Sequence, residues 1–135
     1  MHITGRCHCG AITFEAELNP EKVGICHCTD CQQMSASAYR FLAIVAGDDL
    51  RLLTGTPKEY IKTGDSGARR VQAFCADCGA GLYATAADGP REAFNLRAGT
   101  IDQRRDLRPH FEIFCTSALP WTNRIEGAAH HDRMP

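Results

Sequence analysis

Residues 11 to 17 alternate in polarity: Ile12, Phe14 and Ala16 point one way, Thr13, Glu15 and Glu17 the other. That is the period of a half-buried strand. Shorter apolar runs repeat along the chain, at Val23 to Ile25, Leu50 to Leu53, Leu82 to Thr85, Ala93 to Arg97 and Phe111 to Phe114. Tyr39 to Val45 is a continuous apolar run with one arginine, long enough for a buried strand. Lys58 to Lys62 and Arg69 to Phe74 flank Gly64-Asp65-Ser66-Gly67 as a hairpin-like pair. Asn19-Pro20, Gly47-Asp48-Asp49, Gly55-Thr56-Pro57 and Asp88-Gly89-Pro90 supply the turns between them.

Helical signals are sparse. Thr29 and Gln32 stand in the S/T-x-x-E/Q relation of a capping box, which predicts one or two helical turns over 30–34. Many short strands with frequent turns predict a mainly β, coiled antiparallel fold with this one short helix. No linker or low-complexity run splits the chain, so residues 1–126 read as a single domain. Residues 127–135 have no periodicity and read as a frayed, disordered tail.

Charge narrows the function. The 135 residues carry 15 Lys and Arg against 16 Asp and Glu, a net charge of -1. A nucleic-acid or membrane role normally needs a cationic excess, so neither partner is expected. No apolar run reaches membrane-spanning length. Met1 to Arg6 lacks the apolar stretch of a secretory signal, which makes the cytoplasm the expected location. In a reducing compartment, clustered cysteines read as metal sites rather than disulfides.

There are eight cysteines, and seven fall in clusters: Cys7-x-Cys9, Cys26-x-Cys28-x-x-Cys31 and Cys75-x-x-Cys78. Glycine follows the second cysteine in two of them, at Gly10 and Gly79. A zinc knuckle turns sharply there, and glycine accepts the positive φ required. Two such knuckles supply the four thiolates of a closed structural zinc site, although spacing alone leaves open which clusters meet. The remaining cluster has three cysteines and no matching knuckle. Three protein ligands and an exchangeable fourth position mark a catalytic zinc. The other arrangement is a second closed site, with His27, His110 or Cys115 as fourth ligand. Three thiolates weaken the metal as a Lewis acid toward water, so the site suits a substrate thiol, which coordination deprotonates.

These motifs resemble the glutathione-dependent formaldehyde-activating family. The matching residues are Gly5-x-Cys7-x-Cys9-Gly10, Cys26-His27-Cys28-x-x-Cys31-Gln32, Phe74-Cys75-x-x-Cys78-Gly79, Gly99-Thr100-Ile101-Asp102, His110 and Pro120-Trp121. The resemblance implies an Mss4-like β fold stapled by zinc, with two zinc ions per chain. It implies that Cys7, Cys9, Cys75 and Cys78 hold the structural zinc and that Cys26, Cys28 and Cys31 hold the catalytic one. It implies a carbon–sulfur lyase or synthase that joins glutathione to formaldehyde as S-(hydroxymethyl)glutathione. Family members commonly carry glycine after the residue corresponding to Ser35, where this chain has Ala36.

Two readings compete with that one. A non-catalytic zinc-stapled binding module would close the second site and bind no thiol. A late nucleophilic Cys115 would resemble a methionine sulfoxide reductase of the B type, although a buried inert thiol is the simpler role for a free cysteine. His110 is placed either near a metal as an acid or base, or behind a thiolate as a structural group. His27, between two ligands, is expected to point away from the metal. A glutathione site needs cations, and Arg40, Arg69, Arg70 and Arg97 lie on predicted strands near the clusters. Trp121 is expected to anchor packing.

Overall fold

The computed structural model describes residues 1–135. Eleven strands and one α-helix follow in order: β1 (His2–Arg6), β2 (Thr13–Glu17), β3 (Val23–Cys26), α1 (Thr29–Ser35), β4 (Arg40–Ala46) and β5 (Leu50–Thr54), then β6 (Lys58–Thr63), β7 (Arg69–Phe74), β8 (Gly81–Ala86), β9 (Ala93–Arg97), β10 (Phe111–Ile113) and β11 (Ala129–His130). The fold is mainly β with one short helix, as the alternating runs predict. β1 is absent from the predicted set, because Ile3 is its one large apolar residue.

The strands form a three-stranded sheet ordered β1-β2-β5 and an eight-stranded sheet ordered β11-β10-β3-β4-β9-β8-β7-β6. Pairing is antiparallel except at β10, which runs parallel to both β3 and β11. Side chains on a strand alternate between faces, so register decides what each face carries. One face of the large sheet carries Val23, Ala43, Val45, Val71, Ala73 and Leu96 into the main core. Ile3, Phe14, Ala16 and Leu18 join that core from the small sheet and its flank. The opposite face carries Cys26, Arg40, Leu42, Arg70, Gln72 and Arg97 into a cleft. The registers Cys26↔Arg40, Leu42↔Arg97 and Lys62↔Arg70 align these positions across the sheet.

Three expectations need correction. The helix cap is Cys28, whose sulfur accepts the Cys31 N–H at 3.3 Å, and Thr29 is already helical. Gln32 does not reach back to close a capping box; its amide donates to the carbonyls of His27 and Ser117, both at 2.9 Å. Residues 127–135 are not frayed: Ala129 and His130 form β11 beside β10. The carbonyls of His131, Asp132 and Arg133 accept the N–H groups of Cys115, Thr116 and Phe114. Those bonds satisfy backbone groups rather than bury side chains, so no hydrophobic period marks them. Trp121 is 70% exposed rather than a packing anchor.

Candidate metal centres

The first centre joins the two sheets. Cys7 and Cys9 follow β1, and Cys75 and Cys78 follow β7. Their sulfurs all lie within 4.8 Å of one another. Gly10 and Gly79 adopt φ of +80° and +78°, the left-handed turn that their position after the second cysteine requires. Each knuckle closes on itself, through Gly10 N–H to the Cys7 carbonyl at 3.2 Å and Gly79 N–H to the Cys75 carbonyl at 2.8 Å.

These sulfurs fit a tetrahedral ion. Metal–sulfur bonds of about 2.3 Å require sulfurs about 3.8 Å apart. Cys7 and Cys9 stand 3.6 Å apart and Cys9 and Cys75 stand 3.8 Å apart. Backbone donors already favour thiolates here. The Ile12 N–H donates to the Cys7 sulfur at 3.3 Å. The N–H groups of Cys9 and Ala80 draw the Cys78 thiol down to about 6. Cys7 and Cys75 are buried in the main core, so the centre is continuous with the apolar packing of both sheets.

The family-type motif Gly99 to Asp102 clasps β1 from the far side. The Thr4 hydroxyl donates to the Asp102 carboxylate at 2.6 Å, and the Asp102 N–H donates to the Thr4 carbonyl at 2.8 Å. Its role is to hold the strand that leads into Cys7.

The second centre lies at the end of β3. Cys26 closes that strand, Cys28 caps α1 and Cys31 lies in the first turn. The three sulfurs are within 4.8 Å of one another, and no His, Asp, Glu or further Cys completes the group. His110 and Cys115 belong to neither cluster. The Arg40 Nε donates to the Cys31 sulfur at 3.4 Å. Hydrogen bonds from Cys26 and Cys28 hold the Cys31 thiol down at about 2, with the Arg40 charge adding to them. The same sharing, with burial, pushes Cys26 up. Three crowded sulfurs cannot all ionise without a cation beside them, which a divalent ion supplies, so the donor set fits a soft metal.

Behind the sulfurs, the loop is pinned. His27 points away from the cluster, its Nε2 donating to Glu112 Oε1 at 2.9 Å. The ring packs edge-on against Tyr39, with centroids 5.6 Å apart. The His27 N–H donates to the Ile113 carbonyl at 3.0 Å, which ties the loop to β10. Glu112 is a functional candidate that sequence reasoning missed. It is one glutamate among many, and only the parallel pairing of β10 with β3 brings it under His27.

In front of the sulfurs is a cleft of about 140 Å³. Cys26 and Cys31 form part of its wall, with Arg40, Lys62, Arg70 and Arg97 around them. Lys62 pairs with Asp30 at 2.5 Å. Of the arginines anticipated near the clusters, Arg40, Arg70 and Arg97 reach the cleft, whereas Arg69 pairs with Asp88 at 3.0 Å away from it. Cys115 is partly exposed, and burial pushes its thiol up, the wrong direction for a nucleophilic thiolate.

A family model described as glutathione-dependent formaldehyde-activating enzyme matches residues 2–117. A crystal structure of a Rhodobacter sphaeroides protein is similar in fold, with a TM-score of 0.56 at 20% identity. The match covers 95% of this chain and 98% of that one. The comparison with curated proteins gives no match.

Proposed function

Because this chain belongs to the glutathione-dependent formaldehyde-activating family, we propose that it is a zinc-dependent carbon–sulfur lyase or synthase whose thiol is glutathione. Cys7, Cys9, Cys75 and Cys78 hold a structural zinc, and Cys26, Cys28 and Cys31 hold a reactive one, two per chain. A zinc ion at the three-cysteine centre would keep a substrate thiol in its thiolate form, the nucleophilic state of sulfur.

The chain's own residues supply the rest. The Cys28 cap and the two bonds from Gln32 fix the loop that carries the three sulfurs. Arg40 orients Cys31 and offsets the excess negative charge of three thiolates. The cleft gathers thiol and carbonyl compound side by side, which removes much of the entropic cost of their encounter. In the synthetic direction a sulfur–carbon bond forms, the carbonyl π electrons move to oxygen, and that oxygen takes up the proton the thiol gave up. The reverse step returns both reactants. The reducing cytoplasm, where cysteines stay unbridged and available to metal, is the proposed location.

One observation carries this proposal: three sulfurs converge without a fourth protein ligand, and two of them, Cys26 and Cys31, line a cationic cleft. Adding glutathione to cobalt-substituted protein tests it. A change in the thiolate-to-cobalt absorption band is expected, and an unchanged band at millimolar glutathione sinks the proposal. The non-catalytic module predicts that unchanged band. A Cys115-based redox enzyme has against it the raised thiol and its separation from both clusters.

A further inference from the structure

The cleft holds more positive charge than its own residues neutralise. Four cations and a single carboxylate face it, and that carboxylate, Asp30, is paired with Lys62. Arg40, Arg70 and Arg97 make no ion pair with any carboxylate of the chain, unlike Arg51, Arg69 and Arg91. Arg40 is only 7% exposed, and Arg70 and Arg97 are half-buried.

Arg97 is the most telling of the three. Its guanidinium is held by neutral groups, Gln72 Oε1 at 2.5 Å and Asn95 Oδ1 at 3.1 Å. Those bonds fix its direction without cancelling its charge. Burial, then the like charge of Arg40, lowers Arg97 to about 9, so it remains cationic at neutral pH under strain from its neighbour. The thiolate cluster accounts for Arg40, which touches Cys31. It leaves Arg70 and Arg97 without a counter-ion. A partly buried charge with no partner is costly, and a guanidinium's natural complement is a planar oxyanion.

We propose that Arg40, Arg70 and Arg97 form a carboxylate-binding subsite, so that one of the reactants brought to the three-cysteine centre is an acid anchored there. This inference rests on the cleft being the substrate site. The carboxylate has two sources: the thiol peptide itself, or a carbonyl partner that is an aldehyde acid or 2-oxo acid. Arg97 determines specificity by aiming its fork from the scaffold of Gln72 and Asn95, and Arg70 faces it from β7.

Two matched pairs of ligands test this. Cobalt-loaded protein is titrated with glutathione and with glutathione diethyl ester, whose carboxylates are masked. The zinc protein is titrated by calorimetry with glyoxylate and with glycolaldehyde, its neutral counterpart. At least one acid should bind about tenfold or more tighter than its neutral partner, the advantage of a charge-assisted hydrogen bond. The advantage should fall to about threefold or less in Arg97→Gln and Arg70→Gln. The Arg70 side chain makes no hydrogen bond within the fold, so its variant keeps the scaffold and guards against a folding defect in the other.

A preference for glutathione over its ester assigns the carboxylate to the thiol, and a preference for glyoxylate assigns it to the carbonyl partner. No preference in either pair, or a preference that survives both substitutions, overturns the subsite. If neither glutathione nor its ester moves the cobalt band, the proposed thiol chemistry fails, and the glyoxylate pair alone decides the subsite.

Discussion

His27 and Glu112 meet through Nε2 and Oε1 at 2.9 Å although 85 residues separate them in sequence. Both side chains are only 3% exposed. An ionised carboxylate can only accept, so the His27 Nε2 carries the proton. The other carboxylate oxygen accepts the Ile125 N–H at 3.0 Å and faces His130 Nε2 at 2.7 Å. That last contact is close enough for an ion pair but lacks hydrogen-bond alignment. Glu112 thus braces the Cys26–Cys28 loop from below and takes hold of the C-terminal segment with the same group.

Removing that brace leaves a buried imidazole unpaired. Glu112→Ala should therefore lower stability by about 3–5 kcal/mol, the usual result of deleting one partner of a buried pair. Urea unfolding of the zinc-loaded protein measures it. A loss below about 1 kcal/mol would mean that the pair does not hold the loop.

Acid should act through the same residue. Burial works against the Glu112 carboxylate, but His27, the Ile125 N–H and His130 outweigh it and hold the group below the ordinary value of 4.5. A depressed carboxylate contributes stability above its unfolded value and loses it as pH falls through the folded one. Stability should therefore drop as pH falls below 4.5, and more steeply in the wild type than in Glu112→Gln. Acid removes metal from both proteins, so the difference between their slopes is the readout. Equal slopes would count against the assignment.

Ala36 ends α1 at φ of +50°, a left-handed conformation that costs a residue with a Cβ about 1–2 kcal/mol. Ala36→Gly removes that strain and gives back part of it as extra freedom in the unfolded chain. A net gain of about 0.5–1 kcal/mol is expected in thermal unfolding. A loss would show that the methyl group packs usefully beside the second centre.

Residues 127–135 should matter to the fold. Truncation after Glu126 exposes the edge of β10, removes the acceptors of the Phe114, Cys115 and Thr116 N–H groups, and takes His130 from Glu112. About 3 kcal/mol should be lost, from several hydrogen bonds of about 0.5–1.5 kcal/mol each. Unchanged melting of the truncated chain would show the segment to be dispensable.

The two centres should respond differently to the same substitution. Cys75→Ser opens the centre that joins the sheets, where metal binding and folding are linked, and should leave an unfolded or aggregated chain. Cys28→Ser should keep the circular dichroism of the wild type, retain one metal ion per chain and lose the thiol-dependent cobalt spectrum. Unfolding of both would make the second centre structural as well.

The seven clustered cysteines were legible in the sequence because metal ligands on one knuckle are neighbours, and the glycine after each knuckle marks its turn. The strands from β2 to β10 were legible where their polarity alternates. The parts that were not legible depend on register. Glu112 reaches His27 through a parallel pairing that no local signal encodes. Arg97 reaches the cleft because it pairs with Leu42, whereas Arg69 turns to Asp88 from the other side of its strand. The helix cap was misassigned because Thr29 looks like a cap until a sulfur is placed ahead of it.

The alternation along β4 has a use in engineering. Arg40 and Leu42 face the cleft, and Ala43 and Val45 face the core. A substitution library confined to the cleft-facing parity of β4, β7 and β9 would sample new ligands while leaving the main hydrophobic core chemically untouched. The same library shifted by a single position would do the reverse, returning chains that fail before any ligand is offered.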